Sequence, residues 1–376
     1  MTLLRHVSIV QRRLTHYRVP LFQQLRQELA ANRIELKLLI GEGAADESSK
    51  HDAGQLDWAI RVPTRYFAGG RLCWQSFGGH LRNTGMLIVT QENKLLYNHL
   101  LLLRRPRPFH LAFWGHGANL QSGNPNGWKE RYKRWSTRRV DWWFAYTDIS
   151  ARLVTAADFP PARVTVLNNA IDTSELHRHK QSIAAEETRA LRASLKLSEG
   201  PTAVFVGSLY ADKRLDFLFA AAESIRRKLG NFHLLIIGDG PERTKVQAWC
   251  AKHTWAHWAG ARFGREKIAY VSTAHVMLNP GLVGLGILDA FVCGVPLLTT
   301  DCGIHSPEIA YLEDGKNGLM TADVLEDYVA ATVRLLRDPM ALSALQAGCT
   351  ASAAEYTVEN MAKRFANGIA RCLNAG

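Results

Sequence analysis

Short apolar runs alternate with amphipathic stretches along almost the whole chain, and this alternation constrains the fold more than any other feature. A repeated strand–helix–strand order indicates a parallel sheet, because parallel neighbours need a long crossover between them. Many runs end in Gly, Asn or Asp, as strands do when they lead into ligand-facing loops. The predicted strands are 6–10, 34–40, 86–90, 110–114, 142–146, 163–167, 203–206, 233–237, 276–278 and 296–300, with helices at 20–32 and from Leu325 onward.

The alternation occurs twice, which predicts two Rossmann-like, doubly wound α/β domains. A length of 376 residues fits that number, at roughly 150 residues per domain. We expect an N-terminal domain in 1–172 and a second domain in 173–355, entered through a linker and a helix within 172–201. We expect residues 356–376 to form a C-terminal helix that packs back on the first domain. Two such domains would face each other across a cleft at the carboxyl ends of their sheets, where ligands bind.

The positive charge is concentrated in the first half of the chain. The whole chain has 46 Lys+Arg and 34 Asp+Glu, a net charge of +12, and residues 1–172 alone hold 24 basic and 13 acidic side chains. Such an excess indicates an anionic partner: nucleic acid, a phosphate-bearing substrate or an acidic membrane surface. Residues 128–139 carry six cations with Trp128, Tyr132 and Trp135 on one helical face. This segment is either a helix on an anionic leaflet or an amphipathic helix with its aromatic face on the core.

The cysteines, the N-terminus and the longest weakly polar stretch limit the class of protein that this chain can be. Six cysteines show no CxxC and no Cys/His spacing, which predicts reduced thiols and no metal site. The N-terminus lacks a small-residue cleavage site, so we expect a first strand and no signal peptide. The longest weakly polar stretch, 281–298, is interrupted by Asp289 and Pro296, which argues against a membrane span. We therefore expect a cytoplasmic protein.

Two segments of the second half place polar groups where predicted strands end. Lys213 and Arg214 stand at the mouth of a predicted helix, where cations and helix N–H groups together suit a diphosphate. Glycines at 284 and 286 let the backbone approach a ligand, and Asp289 lies one turn into the next helix, where a carboxylate can bind a ribose diol. From the residues alone, solvated cations and an Asp that stabilises the helix dipole explain both segments as well.

A third segment, 303–308, follows the strand at 296–300. Ser306 and Pro307 form an N-cap and first-turn pair, and the charge of Glu308 favours the helix dipole. Capping does not explain His305.

In order and spacing, these segments resemble the nucleotide-sugar domain of the family-4 retaining glycosyltransferases, of the GT-B fold and the bacterial surface-polysaccharide type. The resemblance rests on Phe205-Val-Gly-Ser-Leu with Lys213, Ile237-Gly-Asp-Gly-Pro-Glu242, Pro280 through Pro296, Gly303 through Leu319 and the hinge Val166 through Asp172. It covers nearly the whole chain, more loosely before residue 164.

The resemblance implies a role for individual residues. The implied catalytic residues are Lys213, His116 and Glu308; the donor residues are Ser208, Arg214, Gly284, Leu285, Gly286, Asp289 and His305; the acceptor residues are Arg18, Glu92 and Asn93. Neither a metal nor a cofactor is expected.

Two positions depart from the family pattern. Ser208 stands where the family commonly has Arg, which leaves Lys213, aided by Arg214, to neutralise the leaving group. Gly281 stands where it commonly has Glu, and we expect His305 and Glu308 to compensate.

The implied function is transfer of a sugar, with retention, from a nucleoside diphosphate donor to a polyprenyl-diphosphate-linked glycan or a polysaccharide. We expect the basic first domain to lie on the anionic inner face of the plasma membrane, and we expect no nucleic-acid partner. Two alternatives remain open: a GT-B sugar-nucleotide epimerase, and a non-catalytic basic protein that binds membranes or nucleic acid.

Overall fold

The computed structural model describes residues 5–44, 47, 52–117, 127–197 and 199–375. The chain forms two compact units. Unit 1 comprises Met1–Asp172 and Val358–Gly376, and unit 2 comprises Thr173–Thr357. With its C-terminal part, unit 1 holds 27 Lys+Arg and 14 Asp+Glu, whereas unit 2 holds 19 and 20.

Unit 1 is built on a seven-stranded parallel sheet of order β3-β2-β1-β6-β7-β8-β9, and β4 pairs antiparallel with β5 in a separate ribbon. The strands are β1 (Arg5–Gln11), β2 (Ile34–Ile40), β3 (Ile60–Arg61), β4 (Thr64–Phe67), β5 (Leu72–Gln75), β6 (Thr84–Thr90), β7 (His110–Gly115), β8 (Trp142–Ala145) and β9 (Val164–Val166). The helices between them are α1 (Val19–Ala31), α2 (Leu96–Leu103), α3 (Trp128–Thr137) and α4 (Asp148–Ala156).

Unit 2 repeats the architecture with a six-stranded parallel sheet of order β12-β11-β10-β13-β14-β15. Its strands are β10 (Thr202–Val206), β11 (His233–Ile237), β12 (Ala256–Gly260), β13 (Val276–Leu278), β14 (Leu297–Thr300) and β15 (Gly318–Thr321). Its helices are α5 (Thr173–Gln181), α6 (Ala185–Ser194), α7 (Leu215–Leu229), α8 (Arg243–Cys250), α9 (Gly264–Val271), α10 (Gly286–Cys293), α11 (Leu325–Arg337) and α12 (Pro339–Glu355).

The strand order of each sheet reverses at one point. In unit 1 the chain leaves β1 toward β2 and returns on the other side with β6, and in unit 2 β10 has β11 on one side and β13 on the other. Loops that leave neighbouring strands toward opposite faces of a sheet open a crevice at the carboxyl ends of those strands. In unit 2 this crevice lies between the loops after β10 and β13.

The final helix, α13 (Val358–Asn374), belongs to unit 1 and packs against α1. The ring of Phe365 contacts the rings of Trp114 and Phe144, with centroids 5.1 and 4.5 Å apart. Gly368 lies against the sheet so closely that a Cβ there would come within 2.5 Å of Thr165 Oγ1. The amphipathic pattern of α13 therefore serves the core of the first unit.

The predicted fold class of two parallel α/β units is confirmed, but five strands were not predicted. Two of them, β4 and β5, form the separate ribbon, and the other three, β3, β12 and β15, are edge strands of the parallel sheets. An edge strand is half exposed, so it lacks the continuous apolar run that identifies a central parallel strand. Within residues 172–201, where the sequence predicted a linker and one helix, unit 2 begins with the two helices α5 and α6.

The aromatic residues of α3 lie against unit 1. The Tyr132 hydroxyl bonds the imidazole of His99 on α2, and the Trp135 ring packs beside the Tyr132 ring and against the core. This favours an amphipathic helix with its aromatic face on the core; the Trp128 side chain lies outside the described residues. Among the helices that the structure describes, none is both long enough and apolar enough to cross a bilayer.

Candidate functional site

A cavity of about 470 Å³ opens at the carboxyl ends of β10, β11 and β13, in the crevice of unit 2. Four segments line it: the loop after β10, the end of β11, the beginning of α9 and the loop that leads into α10. The lining includes Gly207, Ser208, Tyr210, Lys213, Asp239, Arg262, Phe263, Lys267, Asn279, Gly284, Leu285, Gly286 and Asp289.

A larger cavity, of about 670 Å³, lies at the opposite, amino ends of the unit 1 strands. One of its cations, Arg107, is already paired with Asp141 at 3.0 Å and bonded to the Arg139 carbonyl. Since ligands of open parallel sheets bind at the carboxyl ends of the strands, the unit 2 cavity is the better candidate.

Lys213 is a buried cation on the wall of the unit 2 cavity. Its residue is 8% exposed, and its Nζ donates to the Leu282 carbonyl at 2.5 Å and lies 5.8 Å from the Tyr210 ring centroid. Burial lowers the pKa of this amine to about 8, although nearby Asp212 raises it in part. An anion in the cavity would stabilise the protonated form, so the position is suited to a phosphate.

Glycines let the loops around Lys213 approach one another. Gly238, with a φ of +148°, comes so near the Gly207 carbonyl that a Cβ would lie 1.9 Å from its oxygen. Gly281 packs on the backbone of residues 212 and 213, and a Cβ there would lie 2.3 Å from the Asp212 carbonyl oxygen. The same carbonyl accepts from the Leu282 amide at 2.8 Å. Position 281 therefore has no room for the Glu that the family pattern places there.

The N-terminus of α10 faces the cavity through Gly284, Leu285 and Gly286. The first N–H groups of a helix have no intrahelical partner and attract anions. His305 fixes the backbone just before this turn. Its Nδ1 accepts from the Val283 amide at 3.1 Å, and its Nε2 lies 2.7 Å from the Thr300 carbonyl. These bonds require a neutral imidazole with its proton on Nε2.

Asp289 lies one turn into α10 and is 4% exposed. Its Oδ1 accepts from Lys267 Nζ of α9 at 2.7 Å. The pair offers a carboxylate oxygen and ammonium N–H groups side by side, which suits a ligand hydroxyl that both donates and accepts. Nearby, the buried Asn279 Oδ1 has no hydrogen-bond partner among the described residues, although its Nδ2 donates to the Leu282 carbonyl at 3.2 Å.

The structure brings together most of the predicted donor residues. Around the cavity lie Lys213, Ser208, Gly284, Leu285, Gly286 and Asp289. Arg214, His305 and Glu308 are not among its lining residues. The Arg214 guanidinium pairs with Asp323 and bonds Thr300 Oγ1 at 3.2 Å, so it is directed to the far side of its loop. Glu308 is buried in a short 3-10 turn, Pro307–Tyr311, and is 4% exposed.

The predicted unit 1 residues follow β1, β6 and β7. His116 is exposed beyond the end of β7, with its ring centroid 4.3 Å from that of Tyr146. Glu92 and Asn93 lie in the loop after β6, where Glu92 is 3.5 Å from Lys94 and 3.8 Å from Arg12.

Arg18 is 7% exposed, and its guanidinium lies 5.1 Å from the ring centroids of Tyr17 and Trp114. A third aromatic ring, that of Tyr146, is 5.7 Å away. Aromatic faces stabilise a guanidinium without neutralising its charge.

Sequence reasoning missed three lining residues of the loop after β12 and the first turn of α9, namely Arg262, Phe263 and Lys267. No motif marks them, and β12 itself was not predicted. The only sequence signal for Lys267 was Asp289, because a carboxylate that becomes buried requires a cation or hydrogen-bond donor as its partner.

Comparison with known proteins bears on unit 2 most directly. Residues 200–338 match the model of the family described as Glycosyl transferases group 1. Most of unit 2 is therefore similar in sequence to that family. This confirms the resemblance to glycosyltransferases predicted from the sequence.

A curated relative is the GDP-mannose-dependent alpha-(1-6)-phosphatidylinositol monomannoside mannosyltransferase of Mycobacterium tuberculosis, which is 31% identical over 193 residues. The match covers 48% of this chain and 48% of that protein, so the chain spans about half the length of the curated relatives it matches. An alpha-D-kanosaminyltransferase of Streptomyces kanamyceticus is 25% identical over 174 residues, covering 41% of this chain and 42% of that protein.

Among solved structures, Anabaena Alr3699/HepE in complex with UDP matches with a TM-score of 0.69 at 12% identity, over 98% of this chain and 100% of that one. This likeness concerns the fold alone and confirms the GT-B fold.

We expect Lys267→Met to lower the free energy of unfolding of the protein by about 3 kcal/mol, because it leaves the buried Asp289 carboxylate without its cation. Asp289→Leu added to it should restore most of the loss. Urea denaturation of the single and double variants measures both effects. The matched control is Lys252→Met on the exposed surface of unit 2, expected within about 0.5 kcal/mol of the wild type. A single variant as stable as the wild type would show that the pair is not formed.

Proposed function

We propose that the protein is a glycosyltransferase that moves a sugar, with retention, from a nucleoside diphosphate donor to a lipid-linked glycan or polysaccharide. The observation that carries the proposal is the unit 2 cavity, where the buried Lys213 amine and the N-terminus of α10 meet at the switch point of a parallel sheet. The family match over the same residues supports this assignment. The curated mycobacterial relative is named for a GDP-mannose donor and a phosphatidylinositol-linked acceptor, so GDP-mannose is the first donor to test.

In this proposal the donor diphosphate binds between Lys213 and the amides at the beginning of α10. One further negative charge develops on the diphosphate as the bond between its oxygen and the anomeric carbon breaks. Fixed N–H donors and a cation in a partly dehydrated site stabilise that charge without having to reorganise. Burial lowers the pKa of Lys213 to about 8, and a bound diphosphate would raise it and so keep the amine protonated.

Retention follows if the acceptor attacks the face that the diphosphate leaves. The acceptor oxygen forms the new bond to the anomeric carbon, and its proton passes to the departing phosphate oxygen. This route requires no carboxylate base. It agrees with the cavity lining, where Asp289 is paired with Lys267 and Asp239 Oδ1 accepts from the Gly240 amide at 2.8 Å.

Unit 1 would bind the acceptor. The Arg18 guanidinium lies among aromatic rings at the beginning of α1, 4.0 Å from Met361 Sδ. A buried guanidinium of this kind suits the phosphate of a lipid-linked acceptor. Glu92, Asn93 and His116, which follow neighbouring strands, complete the proposed acceptor and sugar contacts.

The proposal predicts that Lys213→Ala lowers turnover of the nucleotide sugar at least about a hundredfold, the usual effect of removing one fixed donor of this kind. The variant should stay folded, because it removes a cation that burial destabilises. The assay measures released nucleoside diphosphate and transferred sugar with a panel of nucleotide sugars, GDP-mannose included, and an extract of bacterial lipid-linked glycans. Lys252→Ala, an exposed lysine of the same unit, is the matched control. Wild-type turnover in Lys213→Ala would refute the diphosphate assignment.

We also propose that unit 1 lies on an anionic membrane through a surface formed by α2 and α3, the α2–α3 face. On α2, Leu100 and Leu103 are 50% and 65% exposed. Arg131 and Arg134 of α3 are exposed, as is Arg104 at the end of α2. Exposed leucines among cations are typical of a surface that enters the headgroup region of anionic lipids.

Replacing Arg104, Arg131 and Arg134 with Gln should weaken binding to vesicles of phosphatidylcholine and phosphatidylglycerol about a hundredfold, at about 1 kcal/mol per cation. Co-sedimentation measures the bound fraction, and pure phosphatidylcholine vesicles give the charge-independent background. The control replaces Lys228, Lys252 and Lys316 of unit 2 in the same way. Equal binding of the α2–α3 variant and the wild type would contradict the membrane proposal.

A further inference from the structure

One aromatic side chain of the unit 2 cavity is exposed to an unusual degree. Phe263 lines the cavity, yet 78% of its surface is accessible. It is the N-cap residue of α9 in an extended conformation, so its ring is held at the point where the chain enters the helix. It costs free energy to expose a large apolar ring to water at the edge of a polar cavity. A flat ligand that covers the ring removes part of this cost.

A series of contacts links the rest of the cavity to Phe263. It begins at the N-terminus of α10, which lines the cavity together with Lys213. Asp289 lies three residues into that helix, about 4.5 Å along its axis at 1.5 Å per residue. Its carboxylate meets Lys267 Nζ at 2.7 Å, and Lys267 lies one turn after Phe263, whose carbonyl accepts from the Lys267 amide at 3.2 Å.

This order matches the order of groups in a nucleoside diphosphate. The diphosphate suits the cation and helix amides at one end, and the ribose diol suits the Asp289–Lys267 pair in the middle. What remains at the other end is the base, a flat aromatic group that stacks on side-chain rings. The neighbouring Arg262 is engaged elsewhere, with its guanidinium 2.9 Å from Glu266 and 5.1 Å from the Tyr270 ring centroid.

We propose that Phe263 is the stacking platform for the donor's nucleobase, with Lys267 of the same helical turn fixing the carboxylate that binds the ribose. This inference rests on the proposed nucleoside diphosphate donor and adds to it a residue for the base. Every base has a π face, so stacking on Phe263 supplies affinity and leaves the choice of base to hydrogen bonds made by other groups.

The test compares a nucleoside diphosphate with a ligand that lacks the nucleoside. Calorimetry measures the Kd of GDP, UDP and ADP, and separately of inorganic pyrophosphate, for the wild type and for Phe263→Ala. We expect Phe263→Ala to raise the Kd of the best-bound nucleoside diphosphate about 5- to 100-fold. The Kd of pyrophosphate should stay within about twofold, which also shows that the variant is folded. Phe263→Trp should bind the nucleoside diphosphate within about threefold of the wild type.

A matched control is Met340→Ala, which removes another exposed apolar side chain of unit 2, one that is 83% exposed and outside the cavity. It should change neither Kd. An unchanged Kd for the nucleoside diphosphate in Phe263→Ala would overturn the stacking role, as would an equal loss for pyrophosphate. A wild type that binds pyrophosphate but none of the three nucleoside diphosphates would instead overturn the proposed donor, and this is seen without any variant.

Discussion

The unit 2 site depends on how closely three backbone segments approach one another around Lys213. The end of β11 contacts the loop after β10 at Gly238 and Gly207, and the turn at Gly281 packs on residues 212 and 213. This packing removes the Lys213 amine from water, and the amine, on the cavity wall, donates a hydrogen bond to the Leu282 carbonyl. A cation held in this way is costly in the free protein, and an anionic ligand removes that cost.

The division of charge follows the division into units. Unit 2 is nearly neutral overall, because its surface cations are balanced by acids, and its site uses a few placed groups such as Lys213 and the Lys267–Asp289 pair. Unit 1 carries all of the excess positive charge. In the proposed function the two units would therefore bind anions in different ways. Unit 2 would use a cavity that fits a small ligand, and unit 1 a basic surface and the buried Arg18.

The central strands and the glycine-rich turns could be predicted, because each depends on its own local sequence. The runs at β10, β11 and β13 are apolar after the first residues of β10 and β11, Thr202 and His233, and Lys213 and Asp289 follow β10 and β13 in the sequence. The edge strands β12 and β15 could not, since most of their residues are only partly buried. Lys267 and Phe263 were not predicted to line the cavity, for a related reason. They reach it because α9 packs against α10 in the folded unit, and no local sequence pattern encodes that contact. Arg214, expected beside Lys213, turns to Asp323 because its left-handed backbone, with a φ of +55°, directs it away.

The pKa of the Lys213 amine tests the central claim most directly. It can be measured by NMR on protein labelled at the lysine side chains, with Lys213→Arg to assign the signal. The account predicts a pKa of about 8 for the free protein. It predicts a rise of at least about one unit when a nucleoside diphosphate saturates the cavity, because the ligand's charge stabilises the ammonium form. A Lys213 pKa that stays the same with the nucleotide bound would contradict the claim that this residue holds the diphosphate.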